Sequence, residues 1–484
     1  MENKYEAVIG LEVHAQLLTN SKAFCSCSTQ YGAYPNTNTC PVCLGHPGTL
    51  PTLNKNLVEY IVRMGIATNC KIREISTFSR KNYFYPDLPK GYQISQYEDP
   101  ICHNGFIQIE MQDGTLKNIG ITRIHMEEDS GKSIHDLDID SLIDLNRSGV
   151  PLIEIVSEPD IRSSSEAYLY LMAIKQTVMY LGICNGNMEE GSLRCDVNIS
   201  VRPVGQEKFG TKVEIKNLNS FRNVEKAIDY EIKRQIEEIE NGNLIVQQTR
   251  LWDANKNETK IMRTKEMAHD YRYFPEPDLL KVKVTKDWIE ESRKYIPELP
   301  LNRKLRLMNE YSIPNYDAQI MIEDKSLADY FEKCCNELNS KNDKNYKLVS
   351  NWIMTEVLRI LAEKNVSADK FDLEPKLIAE LVELYSEDII SSRIAKEIFP
   401  EILSTKQSPK KIVEEKGLIQ NSDTGFIDEI VKKLIDNNPE NVEKYRGGRN
   451  NLLGFFVGSV MKETQGKANP KIVTEIVKKY LDAN

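Results

Sequence analysis

The sequence predicts an α+β protein in which an antiparallel sheet region comes first, followed by an all-helical region and a small helical tail. Residues 1–295 contain short segments that alternate polar and apolar residues, as half-buried strands do. Residues 296–406 instead repeat their apolar positions with helical spacing, and a small helical tail follows over residues 407–484. Pro297 and Pro300 mark the first boundary, because closely spaced prolines interrupt regular structure. The second boundary falls near residues 403–409.

Length and composition agree with a globular protein of several domains. At roughly 150 residues per domain, 484 residues correspond to about three domains. Charged residues make up 28% and hydrophobic residues 40%, which excludes a disordered chain, a collagen-like chain and a membrane bundle. The 63 basic and 72 acidic residues give a net charge of −9, which is compatible with a nucleic-acid partner because local charge decides such binding. The first residues are polar and acidic and carry no secretory or transit signal, so we expect a cytoplasmic location and no membrane partner.

Four of the ten cysteines form a compact pattern. Cys25 and Cys27 are followed by Cys40 and Cys43, and two such close pairs can surround a tetrahedral zinc ion. Because four protein ligands leave no open coordination position, the pattern predicts a structural Zn²⁺ ion and not a catalytic one. The alternative is a group of reduced, buried thiols.

Acidic residues and histidine recur in three strand-like segments of the first half. Residues 10–17 alternate strictly, so that Glu12 and His14 share one face about 7 Å apart along the strand. Residues 123–129 end in three acids, and Glu154 interrupts an apolar run. An unpaired charge there is costly, so Glu154 faces a metal or a basic partner, or the run is half exposed. Oxygen ligands with one imidazole suit Mg²⁺ or Mn²⁺, although residues 10–17 also fit an ordinary solvated strand.

The most regular strand pattern covers residues 192–202. Its polar face carries Arg194 and Asp196, and the alternating segment 212–216, with Glu214 and Lys216, completes a predicted hairpin. Arginine and lysine in this arrangement suit phosphate binding, although mixed charge on a sheet face is often only solvated surface. The glycine spacing of a P-loop is absent, since Met126 stands where a glycine is required before Gly131.

Several further segments have simple interpretations. Residues 80–90 and 270–277 mix aromatic and basic residues, and we expect loops that either stack on a nucleotide base or tuck their rings into the core. Apolar periodicity predicts helices near residues 325–338, 345–364, 375–386 and 391–399. From residue 441 onward the sequence contains eight basic and four acidic residues, and this local positive charge indicates an RNA-binding tail or a solvated helix face.

Taken together, the motifs closely resemble the B subunits of aspartyl/glutamyl-tRNA amidotransferases. The similarity covers essentially the whole chain and is carried by residues 10–14, 82–87, 92–96, 123–129, 191–194 and 270–277. The resemblance implies a cradle domain over residues 1–295 that contains the zinc knuckle, a helical domain over 296–406 and a tRNA-binding tail domain over 407–484. A related archaeal E subunit carries a large additional domain after the cradle, and this chain passes from Pro277 to the helical region without such an insertion.

The resemblance also implies a reaction. A ligase of this family uses ATP and Mg²⁺ to phosphorylate the side chain of glutamate mischarged onto glutamine tRNA, or of aspartate mischarged onto asparagine tRNA, and ammonia then displaces the phosphate. It implies catalytic roles for Glu12, His14, Arg194, Asp196, Glu214 and Lys216, with Arg194 and Lys216 binding ATP. It implies that Glu12, His14, Glu128 and Glu154 hold Mg²⁺, with Glu127 as the alternative to Glu128.

Ammonia requires partners. This chain shows no glutaminase signature, and the resemblance implies a glutaminase A subunit and a small C subunit, with the basic tail binding the tRNA elbow. A non-catalytic tRNA-binding zinc protein is the alternative from a different functional class, and in such a protein the acidic clusters would be structural.

Overall fold

The computed structural model describes residues 4–134, 138–264, 271–420, 424–464 and 468–482. The chain divides into two compact units, Met1–Arg303 and Lys304–Asn484. The first unit is built around a large sheet and the second is helical. This arrangement confirms the predicted α+β class, whereas the three-domain boundaries stay a prediction.

Twelve strands of the described residues join into one sheet in the first unit, with the central order β14-β13-β12-β11-β1-β10-β7-β5-β4-β15. Strand β6 pairs with β7 and with β2, and all pairs in this sheet are antiparallel except β12 with β13. The strands are β1 Tyr5–Gln16, β2 Lys71–Ile72, β3 Ile75–Ser76, β4 Ser79–Asn82, β5 Tyr92–Ser95, β6 Cys102–Glu110, β7 Leu116–Glu128, β8 Lys132–Ile134, β9 Leu142–Asp144, β10 Pro151–Ser157, β11 Leu193–Pro203, β12 Val213–Leu218, β13 Gln248–Asp253, β14 Glu258–Thr264, β15 Phe274–Pro275 and β16 Val282–Lys283.

Helices α1 (Lys55–Ala67), α2 (Ser164–Tyr180) and α3 (Phe221–Glu240) pack with this sheet, and α4 (Lys286–Arg293) packs on α1. The apolar residues Leu11, Val13 and Ala15 of β1 are almost fully buried in this core. Because successive residues of a strand point to opposite faces, the intervening residues of β1 lie on the other face of the sheet. The core therefore fixes which side chains form the polar face.

The second unit contains helices α6 to α16 and all but the first turn of α5. Their bounds are α5 Pro300–Glu310, α6 Asn315–Met321, α7 Lys325–Glu337, α8 Asp343–Trp352, α9 Leu358–Lys364, α10 Pro375–Ser386, α11 Ser392–Thr405, α12 Pro409–Glu415, α13 Thr424–Asp436, α14 Pro439–Arg446, α15 Leu452–Glu463 and α16 Pro470–Asp482. A π-helical turn, Ile353–Val357, lies between α8 and α9. Two hydrophobic cores form, one among residues 307–413 and the other among residues 427–481.

Most local predictions are confirmed. Strands β11 and β12 pair antiparallel, as the predicted hairpin requires. The predicted helices form as α7, α8 with α9, α10 and α11, and the π-helical turn interrupts the second of them. The expectation of a loop over residues 80–90 is wrong at its start, because residues 79–82 pair with β5 as a strand. No helix among the described residues is long and apolar enough to cross a membrane.

Candidate active site and metal-binding clusters

The register of four antiparallel strands places charged side chains in a row on the polar face of the sheet. His14 of β1 lies opposite Arg194 of β11 on one side and opposite Glu154 of β10 on the other. Glu154 in turn lies opposite His125 of β7. Residues opposite one another in a sheet hold their side chains within contact distance. The row therefore combines residues that are as many as 180 positions apart in sequence (194 − 14 = 180).

The carboxylate–imidazole cluster, His14, Glu127 and Glu154, offers three ligand atoms that lie within 4.8 Å of one another. His14 Nε2 lies 3.2 Å from Glu154 Oε2. Both carboxylates are buried, while His14 is partly exposed. Two carboxylate oxygens and one imidazole nitrogen at this spacing fit a divalent cation such as Mg²⁺ or Mn²⁺.

Both carboxylates of this cluster favour their charged form. Burial would raise the pKa of Glu154, but the nearby His125 and the hydrogen bond with His14 outweigh burial and lower it below its usual range. Burial opposes ionisation of Glu127 too, and the Lys81 ammonium, 3.9 Å away, together with His125 lowers its pKa. A cation binding here would meet anionic ligands.

Glu128 does not belong to this cluster. Because Glu127 and Glu128 are adjacent on a strand, their side chains leave opposite faces of the sheet. The Glu128 carboxylate forms an ion pair with Lys90 and accepts a hydrogen bond from the Ile94 amide at 2.9 Å. The structure therefore places Glu127, and not the predicted Glu128, beside His14 and Glu154.

Glu12 is also not part of the His14 cluster, although it was predicted as a ligand of the same Mg²⁺ ion. It lies in a second, acidic cluster with Asp196 and Glu214, whose carboxylate oxygens are within 4.8 Å of one another. Here the Lys216 ammonium lies 2.5 Å from Asp196 Oδ2 and 3.2 Å from Glu214 Oε1. Burial and the nearby Glu154 raise the pKa of Glu12, and the amide of Asn198 donates a hydrogen bond to it at 2.8 Å. Since a lysine already neutralises this cluster, it is less suited to a second metal ion than to holding Lys216.

Arg194 is oriented by a buried acid. Its Nη2 donates to Asp129 Oδ2 at 2.8 Å, and the Gln16 amide donates to the same oxygen at 2.7 Å. Burial opposes ionisation of Asp129, but Arg194 and Arg147 outweigh it and lower the pKa. Arg194 remains 35% exposed, so part of its guanidinium can still contact a ligand.

Some of these groups line a pocket of about 210 Å³ on the polar face. Its lining includes His14, Lys81, Glu127, Asp129, Arg194 and Asp196. An open pocket in which a candidate metal-binding cluster lies beside arginine and lysine side chains is suited to binding a phosphorylated ligand.

Sequence reasoning missed four residues of the site: Lys81, His125, Glu127 as the preferred acid, and Asp129. A signal existed for two of them, because His125 and Glu127 stand two residues apart in a strand and must share a face. No local signal marked Lys81, which reaches the pocket only because β4 pairs with β5.

The two aromatic–basic segments meet beside this pocket. Tyr97 stacks on Tyr273 with ring centroids 4.8 Å apart, and Tyr271 lies 5.1 Å from the Lys81 ammonium. Arg123 lies over the Tyr97 ring at 4.6 Å. Asp270, which belongs to the second segment, lies outside the described residues.

The four predicted cysteines form a separate thiol cluster. The sulfur atoms of Cys25, Cys27, Cys40 and Cys43 all lie within 4.8 Å of one another. Neighbouring sulfurs of a zinc tetrathiolate are about 3.8 Å apart, given Zn–S bonds of ~2.3 Å, so the arrangement fits a tetrahedral metal. A hydrogen bond from Cys25, the Cys40 amide and the Lys22 ammonium lower the pKa of Cys43 to about 4. The thiolate form of Cys43 is thus favoured, whereas the hydrogen bond with Cys43 raises the pKa of Cys25 and burial raises the pKa of Cys27.

Comparison with known proteins identifies the class. Residues 7–290 match the family of the GatB/GatE catalytic domain, and residues 329–481 match the GatB domain. The chain is similar to proteins named as the B subunit of aspartyl/glutamyl-tRNA(Asn/Gln) amidotransferase. It is 57% identical to the one from Thermodesulfovibrio yellowstonii and 54% identical to the one from Caldanaerobacter subterraneus. Each alignment spans 478 residues and covers 99% of both chains. The one from Geotalea daltonii shares 55% over 482 residues and 99% of both chains. The chain belongs to the GatB family of tRNA amidotransferase subunits, which confirms the resemblance.

Proposed function

We propose that this chain is the B subunit that performs the ATP-dependent amidation of glutamate, and of aspartate, attached to glutamine or asparagine tRNA. The observation that carries the proposal is the cluster of His14, Glu127 and Glu154, of which His14 and Glu127 line one pocket together with Arg194. Membership of the GatB family supplies the identity of the substrates.

The chemistry requires activation of a poor electrophile. A side-chain carboxylate oxygen of the tRNA-bound amino acid attacks the γ-phosphorus of ATP, and ADP leaves. The nitrogen of ammonia then attacks the acyl carbon, the C–O bond to phosphate breaks, and a proton is lost from nitrogen to leave the amide. Phosphoryl transfer depends chiefly on positioning and on neutralising oxygen charge.

His14, Glu127 and Glu154 would hold Mg²⁺, which supplies positive charge to phosphate oxygens when bound. Glu127 replaces the predicted Glu128 in this proposal, because the Glu128 carboxylate is engaged by Lys90. The guanidinium of Arg194 binds phosphate oxygens, and Asp129 keeps it pointed into the pocket.

Lys216 provides a second cation for ATP. Asp196 and Glu214 hold its ammonium group on the same sheet face, and burial alone would lower its pKa, but these two acids outweigh burial and raise it. Lys216 therefore stays charged. Glu12 lies beside this group and completes the acidic surroundings of the site.

Ammonia must arrive unprotonated, so this chain works with partners. A glutaminase A subunit releases ammonia from glutamine, a small C subunit completes the heterotrimer, and the basic tail contacts the tRNA. We infer that the four cysteines hold a structural Zn²⁺ ion, because their donor set leaves no open position for chemistry. We place the enzyme in the cytoplasm, where its tRNA substrates are used.

The test is reconstitution of the three-subunit complex with glutamine, ATP, Mg²⁺ and each mischarged tRNA. We expect Gln-tRNA(Gln) and Asn-tRNA(Asn) to form with release of one ADP per amide. A non-catalytic tRNA-binding zinc protein would instead bind the mischarged tRNA without stimulating ADP release. The outcome with each tRNA separately shows whether one or both substrates are accepted.

A further inference from the structure

We propose that the thiol cluster positions the active-site pair Asp129 and Arg194 by holding residues 143–149 in place, a segment that runs from the end of β9 towards β10. This inference rests on the proposed function and adds to it a positioning role for a centre that takes no part in the chemistry. Three sets of contacts join the cysteine-bearing loop, residues 25–49, to the 143–149 segment.

The first contact set comes from Asn36, which lies between the two cysteine pairs. Its backbone N–H donates to Asp144 Oδ1 at 3.1 Å, and its side-chain amide donates to the Ile143 carbonyl at 2.9 Å. Its side-chain oxygen accepts from the Leu145 amide at 2.8 Å. Asn36 has φ 60, a left-handed conformation that asparagine tolerates better than most residues. One loop residue thus makes three hydrogen bonds to the segment.

The second set comes from Asn146, on the segment itself. Its side-chain oxygen accepts from the Asn38 amide at 2.8 Å, and its side-chain nitrogen donates to the Tyr34 carbonyl at 2.7 Å. Asn38 stands two residues before Cys40, so the bond attaches the segment next to a metal ligand.

The third set is a lysine buried between the two parts. Lys22 is fully buried, and its Nζ lies 3.6 Å from Cys43 Sγ and 3.4 Å from the Leu145 carbonyl oxygen. A buried ammonium group is costly without a countercharge. Four thiolates around a divalent ion carry a net charge of −2 (2 − 4 = −2), and this charge supplies the countercharge that the Lys22 ammonium needs. The metal-bound cluster would therefore hold Lys22, and through it Leu145.

The far end of the segment touches the active site. Arg147 donates to the carbonyls of Ser130 at 3.0 Å and Gly131 at 2.6 Å, and its Nε lies 3.7 Å from Asp129 Oδ2. The Gly149 amide donates to the Asp129 carbonyl at 2.8 Å. Asp129 is the residue that orients Arg194.

Gly149, at this end of the segment, lies beside the thiol cluster. Its φ of +86 is a conformation that L side chains rarely adopt, and an added Cβ would lie 3.4 Å from the Lys22 side chain and 3.6 Å from Cys43 Cβ. The same residue thus borders a pocket that Cys43 also lines and donates its amide to Asp129. A shift of about 1 Å in a catalytic group can cost ~100-fold in rate, so a modest loosening here would be measurable.

The direct test uses Asn146→Ala in the complete three-subunit complex. We expect the metal content of the thiol cluster to be retained, faster amide hydrogen exchange in residues 143–149, and a KM for ATP raised about 10-fold, as is typical when a supporting hydrogen-bond partner is lost. Mn²⁺ affinity of the carboxylate–imidazole cluster should stay unchanged. The matched control is Thr49→Ala, which removes a 2.8 Å bond to the His46 carbonyl within the cysteine-bearing loop and none to the segment.

A second arm leaves the sequence unaltered. The wild-type complex is stripped with a chelator and returned to excess Mg²⁺, and we expect the same rise in exchange at 143–149 and the same increase in KM for ATP. Unchanged exchange and KM in both arms would overturn the proposal. Exchange that rises throughout the first unit would also overturn it, since that result indicates a general structural role. Amidation by the untreated wild type reports separately on the proposed function.

Discussion

The two candidate metal-binding clusters differ in how the chain assembles them. The thiol cluster draws all four ligands from residues 25–43, within one loop. The carboxylate–imidazole cluster draws His14, Glu127 and Glu154 from three strands, β1, β7 and β10. A local cluster can be predicted from spacing alone, whereas a cluster across strands depends on the register of the whole sheet. In the proposed function the chemistry follows this division, with a structural role for the closed thiol set and a catalytic role for the set that borders the pocket.

The largest effect should follow Glu154→Gln. This change keeps the size of the side chain but removes the charge that faces His14 and the proposed cation. A bound cation contributes several kcal/mol to stabilising transition-state charge, so we expect kcat/KM for amidation to fall about 1,000-fold. The measurement is glutamine-dependent amide formation on mischarged tRNA by the reconstituted complex, together with Mn²⁺ titration of the same preparation. Wild-type activity in this variant would contradict the assignment of Glu154 as a ligand of the catalytic cation.

Glu127 and Glu128 are adjacent on one strand, so substituting each in turn tests which of them is the metal ligand. Glu127→Gln should weaken Mn²⁺ binding about 100-fold, because it removes a charged ligand. Glu128→Gln should leave Mn²⁺ binding unchanged and lower the midpoint of thermal unfolding, since it leaves the Lys90 ammonium without its buried counter-ion. The reverse pattern in the two variants would make Glu128 the metal ligand.

Lys216→Met tests the cation that binds ATP. Hydrogen bonds to charged groups contribute about 1.5–3 kcal/mol, so we expect a loss of nucleotide affinity between ~10-fold and ~100-fold. The control is Lys212→Met, an exposed lysine just before β12. Equal affinity losses in the two variants would indicate a general effect of positive charge and not a site at Lys216.

The smallest effect on catalysis should follow Cys27→Ser, which removes one sulfur ligand from the thiol cluster. We expect loss of the bound zinc, a midpoint of thermal unfolding lowered by about 5 °C, and no more than a ~10-fold rise in KM for ATP. Metal analysis and calorimetry of the complex measure the first two. A kcat reduced as far as in Glu154→Gln would show that the thiol cluster belongs to the chemistry.

The sequence was sufficient wherever the determining interactions are local. The spacing of Cys25, Cys27, Cys40 and Cys43 predicted one cluster, and the strict alternation around Arg194 predicted the β11–β12 hairpin. Composition and periodicity separated the sheet region from the helices. Each of these features is set by residues close together in the chain.

The rest depended on pairing between distant strands. Glu12 and His14 share a strand face, yet the carboxylate of Glu12 joins Asp196 and Glu214 on one side of β1 while His14 joins Glu154 on the other. The choice between Glu127 and Glu128 turned on which face of β7 is covered by the core. Lys81 lines the pocket because β4 pairs with β5, and no local sequence pattern predicts that pairing.

The most direct test of the account couples nucleotide use to amide formation. With the purified heterotrimer, Glu-tRNA(Gln), glutamine and Mg²⁺, radiolabelled ATP should yield one phosphate for each amide. Formation of both products should fall about 1,000-fold in Glu154→Gln, while glutamine hydrolysis by the glutaminase partner persists. Amide formed at the wild-type rate with ATP withheld, or by the Glu154→Gln complex, would contradict the claim that this sheet face activates the carboxylate.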